Sequence, residues 1–135
     1  MSVLNPSSEP DGRRLILVVD DEPSVRAMVL TAIRVGGPAY RVIEAANAAE
    51  ALTRAQSERP DLVLLDVALP DHDGFWVCGE LKHNQATADI PVVMLTAMGL
   101  SSDRDRAVAA GADGYIVKPF SPRALIAELD QRLGS

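Results

Sequence analysis

An α/β fold built on a doubly wound, five-stranded parallel sheet is what this sequence predicts, and three observations predict it. Short uninterrupted apolar runs recur, among them Leu15-Ile16-Leu17-Val18-Val19, Leu62-Val63-Leu64-Leu65 and Val92-Val93-Met94-Leu95. Runs of that length bounded by turn formers suit strands buried on both faces. Between them lie stretches whose apolar residues recur at helical spacing. The two kinds alternate, strand then helix, five times without a linker or an internal repeat, which calls for a parallel sheet with helices on both faces. Right-handed crossovers then bring every strand's C-terminal end to one rim, the rim at which such sheets bind ligands.

Composition sets the outer limits. The 135 residues suffice for one domain, and 47% apolar content allows a sizeable core. A net charge of -6 argues against direct nucleic-acid binding by this segment and against an anionic membrane surface. The single cysteine, Cys78, rules out an internal disulfide and a cysteine-rich metal site. No apolar run approaches transmembrane length, and the N-terminus has no basic start leading into an apolar core, so the expected compartment is the cytoplasm.

Residues 1–14 carry turn formers without period and read as a disordered lead-in. The first strand, residues 15–19, runs into Asp20-Asp21-Glu22. Pro23 opens a helix to about Val35, with Val25, Met28, Val29, Ala32 and Ile33 on one face, and Gly36-Gly37-Pro38 stops it. Tyr40-Arg41-Val42-Ile43-Glu44 is a more polar strand, expected nearer the sheet edge. Asn47 with Glu50 forms an N-cap pattern for a helix whose face is Ala48, Ala51, Leu52 and Ala55, closed by Pro60. The strand at residues 62–66 follows and ends in Asp66. A loop leads to Gly74, where a helix begins with Phe75, Cys78 and Leu81 inward. Cys78 reads as a small buried hydrophobe, since no histidine stands in a nucleophile's relation to it. His72 and His83 read as surface residues, and Trp76 as partly exposed. The fourth strand, residues 91–96, ends in Thr96. Ser101 or Ser102 caps an alanine-rich, charged helix reaching Ala110, with few large anchors. Tyr115-Ile116-Val117-Lys118 is the fifth strand. Ser121 and Pro122 start a last helix on Leu125, Leu129 and Leu133.

The polar strand ends are therefore Asp20 and Asp21, Asp66, Thr96 and Lys118. If the first and third strands are neighbours, three carboxylates crowd together and need a counter-charge. A hard divalent cation, Mg2+ above all, is the natural one. Taken alone, Asp66 reads equally well as a solvated strand end; the set of acid pair, acid, hydroxyl and lysine suits an anionic phosphoryl group instead. Asp66 is the candidate nucleophile, because its strand is the most uniformly apolar and hence central. Asp20-Asp21 is the candidate cation holder.

On these residues the chain resembles the receiver domains of two-component response regulators. The motifs are Asp20-Asp21-Glu22, Leu65-Asp66 with Pro70 and Asp73-Gly74, Thr96-Ala97, Gly111-Ala112 and Lys118-Pro119-Phe120, spread over residues 15–133. The resemblance implies the flavodoxin-like strand order 2-1-3-4-5. It makes Asp66 the phosphoacceptor, fed by a sensor histidine kinase or a histidine phosphotransfer protein. Asp21 becomes a direct Mg2+ ligand, Asp20 a ligand through water, and the Ala68 carbonyl a further ligand. Thr96 becomes the switch hydroxyl, Tyr115 the aromatic that moves with it, Lys118 the phosphoryl-binding lysine, and Lys118-Pro119 a cis bond. Many members carry methionine where this chain has Ala68; the smaller side chain is expected to admit water and shorten the phosphoryl lifetime, with Met98 offsetting that. The expected activity is Mg2+-dependent self-phosphorylation from phosphodonors and slow self-dephosphorylation, rather than turnover of an external substrate. Phosphorylation is expected to act on the sparse fourth helix, the Tyr115 strand and the last helix, and to favour a homodimer or an output domain or protein.

Three other functions are alternatives, and two of them meet obstacles. A Mg2+-dependent phosphatase needs an acid where Ala68 stands and an insertion for a cap. A flavin-binding domain needs a small polar phosphate loop in place of Asp20-Asp21-Glu22. A phosphorylation-independent protein-interaction domain stays open as the alternative, with the polar rim residues taken as ordinary solvated strand ends. Only Gly134 and Ser135 follow the last helix, which leaves no room for an output domain in these residues. A longer parent carrying one is expected, with the alternative of a single-domain receiver that signals by direct protein contact or acts as a phosphoryl relay or sink.

Overall fold

The structure, a computed structural model, describes residues 12–36, 40–97 and 101–133. Five strands and five helices alternate: β1 (Arg14–Val19), α1 (Pro23–Gly36), β2 (Tyr40–Ala45), α2 (Ala48–Glu58), β3 (Leu62–Asp66), α3 (Gly74–His83), β4 (Val92–Thr96), α4 (Ser101–Ala110), β5 (Gly114–Val117) and α5 (Pro122–Leu133). All strands are parallel in the order β2-β1-β3-β4-β5, so β3 is central and the more polar β2 lies at an edge. The lead-in at residues 1–11, the Gly37-Pro38 stop, Met98 and the capping side chains of Ser101 and Ser102 lie outside the described residues. β1 begins one residue before its expected start, at Arg14, and α1 runs through Gly36.

Side chains alternate across each strand and so build two cores. Leu62 and Leu64 of β3 pack with Val29, Ala32 and Ile33 of α1 and Leu125 and Leu129 of α5. Val63 and Leu65 face the other way, onto Ala48, Ala51 and Ala55 of α2, Phe75, Cys78 and Leu81 of α3, and Ala107 of α4. Each large buried aliphatic contributes about 1.5–3 kcal/mol relative to exposure. Cys78 is fully buried, and burial pushes its thiol up to about 11, which suits the packing role expected of it. His72 and His83 are exposed, as expected, and Trp76 is 41% exposed.

At the rim where strands begin, acids pin backbone. The Leu15 N–H donates to Asp61 Oδ2 at 2.7 Å, and the Val92 N–H donates to Asp113 Oδ2 at 2.8 Å. Lys82 Nζ joins Asp113 at 2.9 Å and the Ile90 carbonyl at 2.8 Å. These contacts fix the register of β1 and β4 without any part in the opposite rim.

The α2 N-terminus is capped twice. Asn47 accepts from the Glu50 N–H at 2.8 Å, and Glu50 reaches back to the Ala46 N–H at 3.0 Å. From the β3–α3 loop, Asp71 accepts from the N–H groups of Ala48 at 2.8 Å and Ala49 at 3.1 Å. The Ala48 N–H, followed by that of Ala49, holds the Asp71 carboxyl below its ordinary value. A depressed folded-state value stabilises above the unfolded pKa and loses that contribution as pH falls through the folded one. Asp71→Ala is therefore expected to lower the thermal midpoint at neutral pH and to leave it unchanged at a pH where the Asp71 carboxyl is protonated in the folded and the unfolded chain alike. Melts across an acid series check this; an equal deficit at every pH would assign the effect to lost packing.

Candidate phosphoryl and metal site

The rim formed by the strand C-termini gathers the expected groups. Asp20 follows β1, Asp66 ends β3 and Thr96 ends β4, and all three are buried, whereas Asp21 is exposed. One carboxylate oxygen from each of Asp20, Asp21 and Asp66 lies within 4.8 Å of the others, the one such acid group among the described residues. Lys118 falls one residue beyond its expected strand: β5 ends at Val117, and Lys118 opens the turn into α5. Its place is fixed by its own N–H, which donates to the Thr96 carbonyl at 2.6 Å. The Lys118-Pro119 bond that follows is cis.

Asp20 is engaged at every polar atom. Its N–H donates to the Ala45 carbonyl at 3.1 Å, and its carbonyl accepts from Arg26 Nη1 at 2.6 Å. Its Oδ1 accepts from the Glu22 N–H at 3.0 Å, and its Oδ2 from Lys118 Nζ at 2.8 Å. Lys118 Nζ reaches Asp66 Oδ1 at 3.2 Å, and the Ala68 N–H also donates to that oxygen at 3.3 Å. One ammonium thus serves two buried carboxylates, with Asp21 a third negative charge beside them.

The electrostatics follow from this count. Burial raises the Asp66 pKa, the Asp20 charge raises it further, and Lys118 and the Ala68 N–H pull it down without reversing the sign. For Lys118, burial works against the charged form, but the hydrogen bond to Asp20 and the charges of Asp66 and Asp20 outweigh it and raise its pKa. Three carboxylates and one lysine leave a surplus of negative charge in a cleft lined by hard oxygens. That donor set fits Mg2+ and offers no soft ligand for a thiophilic metal.

Tyr115, the second residue of β5, is half-buried on the same side of the sheet as Ala107, and the Arg104 guanidinium of α4 lies 5.1 Å from its ring centroid. Arg106 of α4 lies 4.4 Å above the Phe75 ring and 3.6 Å from Asp73. Among α4 residues whose side chains are described, Ala107 alone is buried.

Two supports of the site go beyond the sequence reading, which has Gly74 only as a helix start and motif residue and does not single out Arg26. Gly74 opens α3 directly against the end of β3, with its N–H on the Val67 carbonyl at 2.7 Å. A Cβ there would lie 2.1 Å from the Asp66 carbonyl oxygen, so no other residue fits without displacing the Asp66 backbone. Asp73 caps that helix through the Trp76 N–H at 2.8 Å, and the Asp73-Gly74 pair was the available signal. Arg26 is the second support, and its charge among the apolar residues of α1 gave no sign of where it reaches.

The profile of the response regulator receiver domain matches residues 16–130. A relative named "Probable transcriptional regulator ycf27", from Cyanophora paradoxa, is 48% identical over 117 residues, covering 87% of this chain and 47% of the relative. The chain spans about half the length of the curated relatives it matches. Among solved structures, the chemotaxis response regulator CheY4 of Vibrio cholerae superposes with a TM-score of 0.83 at 33% identity, over 89% of this chain and 98% of that one. The receiver domain of sensor histidine kinase PA1611 from Pseudomonas aeruginosa superposes with a TM-score of 0.82 at 32% identity, over 91% and 99%; that structure holds a magnesium ion coordinated in its active-site cleft. No helix among the described residues is long and apolar enough to cross a membrane.

Proposed function

This chain belongs to the response regulator receiver domain family, and from that premise we propose that Asp66 accepts a phosphoryl group from the phosphohistidine of a sensor histidine kinase or phosphotransfer protein. The observation that carries the reading is the shared ammonium: Lys118 sits 3.2 Å from Asp66 and 2.8 Å from Asp20, where it meets an incoming phosphoryl oxygen. Asp66 is the nucleophile because it is the central acid and its Oδ1 is already oriented by Lys118 and the Ala68 N–H. Transfer forms a bond from an Asp66 oxygen to phosphorus and breaks the bond from phosphorus to the donor histidine nitrogen.

Bound Mg2+ supplies charge neutralisation and a template for the phosphoryl oxygens. Exposed Asp21 suits a direct ligand. Asp20, with both carboxylate oxygens already hydrogen-bonded, suits contact through water. Asp66 and the Ala68 carbonyl complete the protein donors. Thr96, whose carbonyl is tied to Lys118, offers the hydroxyl that follows the phosphoryl group, and Tyr115 answers it on β5. Contacts that differ between the two forms are what shift a two-state equilibrium, and α4 is the element that responds.

Residues 15–135 form the receiver and residues 1–14 a lead-in on this reading. The output is a domain or protein outside these residues, with a phosphorylation-dependent homodimer as one route. Kinase phosphohistidine is made where ATP is, which makes the cytoplasm the expected compartment.

Incubation with acetyl phosphate and Mg2+ is expected to add one phosphoryl mass to the intact chain, with chelation of Mg2+ preventing it. Peptide mapping is expected to place the base-labile adduct on Asp66. An adduct on any other residue, or one formed equally without Mg2+, would overturn the assignment.

A further inference from the structure

We propose that Arg26 is a positioning residue for the cation site, acting through the backbone of Asp20 and held in place by Glu44. The inference rests on the reading of Asp20-Asp21 as the cation holder and adds what fixes that pair in space.

Arg26 lies in the first turn of α1, where its N–H donates to the Glu22 carbonyl at 3.3 Å. Its side chain turns back over the β1–α1 turn. Nη1 donates to the Asp20 carbonyl at 2.6 Å, and Nε donates to Glu44 Oε1 at 2.9 Å. The guanidinium side chain is 17% exposed and Glu44 42%. One planar fork therefore ties three elements together: the end of β1, the start of α1 and edge strand β2.

Asp20 and Asp21 share a peptide unit, so a clamp on the Asp20 carbonyl orients the Asp21 backbone as well. Without it the Asp20 carbonyl loses its side-chain clamp, and the turn keeps the bond from the Glu22 N–H to the Asp20 side chain, the bond from the Asp20 N–H to the Ala45 carbonyl and the helix-start bonds to the Glu22 carbonyl. Like-charged Asp20, Asp21 and Asp66 would then be free to relax apart, and gathering them around a cation would have to reverse that. A planar fork suits this task better than a point charge, because it makes two bonds at a fixed angle. Glu44 has a second effect: it neutralises the guanidinium, so the clamp adds little net positive charge beside a site that must attract a cation.

The test is Mg2+ titration of the full chain by calorimetry, for the wild type, Arg26→Met, Arg26→Lys, Glu44→Gln and the Arg26→Met/Glu44→Gln double variant. Metal-free melts establish that each is folded. Arg26→Met is expected to weaken Mg2+ binding by roughly 10–100-fold, the usual effect of removing a group that orients a ligand. Labelling by acetyl phosphate is expected to recover its wild-type rate at saturating Mg2+, since Asp66 and Lys118 are untouched. Arg26→Lys is expected to remain impaired, and the double variant to be no weaker than Arg26→Met alone. A folded Arg26→Met with wild-type affinity would overturn the inference. So would full rescue by lysine, which would make charge rather than geometry the cause. Failure of the wild-type chain to bind Mg2+, with Asp21→Asn indistinguishable from it, would instead remove the site reading on which the inference stands.

Discussion

Asp66→Asn is expected to take no phosphoryl group under conditions that label the wild type fully, and yet to melt a few degrees higher without metal. The loss follows from the amide, which is no nucleophile toward phosphorus. The gain follows from the site's charge. Burial and Asp20 raise the Asp66 pKa in the fold, so the ionised carboxylate is less favourable there than in the unfolded chain. A raised carboxyl favours the fold while protonated and disfavours it as pH climbs through the folded value. At neutral pH the wild type bears that penalty, and asparagine, of nearly the same shape, removes it. Lys118 keeps its partner Asp20 at 2.8 Å, so no buried charge is stranded. Saturating Mg2+ is expected to narrow the difference by stabilising the wild type. Intact mass and thermal melts with and without Mg2+ measure both halves. A variant less stable than the wild type in chelator would show that the Asp66–Lys118 pair outweighs desolvation and repulsion.

Gly74→Ala is expected to destabilise the fold by roughly 3 kcal/mol, at the upper end of what overpacking usually costs. The added methyl would meet the Asp66 carbonyl oxygen at 2.1 Å and the carbonyl carbon at 2.9 Å. Both are backbone atoms of the central strand and cannot yield by a rotamer change. Either α3 moves off the sheet, opening the packing of Phe75 and Cys78, or the Asp66 peptide tilts and carries its carboxylate with it. The same substitution should therefore slow labelling of whatever fraction remains folded. Urea unfolding gives the stability, and labelling corrected for folded fraction gives the second effect. At Gly79, inside the same helix, an added Cβ meets nothing within 4 Å, so Gly79→Ala is the control and should stabilise, by up to about 1 kcal/mol, with labelling unchanged.

The sheet was legible because each buried strand is a short apolar run, and the central place of β3 followed from its uniformity. The site was legible because chemically telling residues stand directly after those runs. Lys118 was misplaced by one residue, since β5 has only one buried residue, Ile116, and its hydrophobic run does not mark its end. The acids of the opposite rim show the limit of residue type as a signal. Asp61 and Asp113 are as acidic as Asp20 and Asp66, but they pin strand N–H groups, and only topology separates the two rims. Gly74 and Arg26 depend on distances between elements that no local spacing encodes. Asp71 was passed over for the same reason, as the helix it caps lies in the preceding crossover.

The poor anchorage of α4 makes the chain thermodynamically uneven. The other helices bury larger apolar side chains on the sheet, whereas the described side chains of α4 are anchored by Ala107 and Ala110 in the core, by Arg106 over Phe75 and beside Asp73, and by Arg104 near Tyr115. Its detachment exposes little apolar area, so the free energy of that local opening is a small part of the global one. If Asp66 takes a phosphoryl group as proposed, only that small opening cost stands against a redirected α4, and the rest of the fold is spared. On the proposed reading, a weakly held helix is what would let a modest chemical input give a large change of surface.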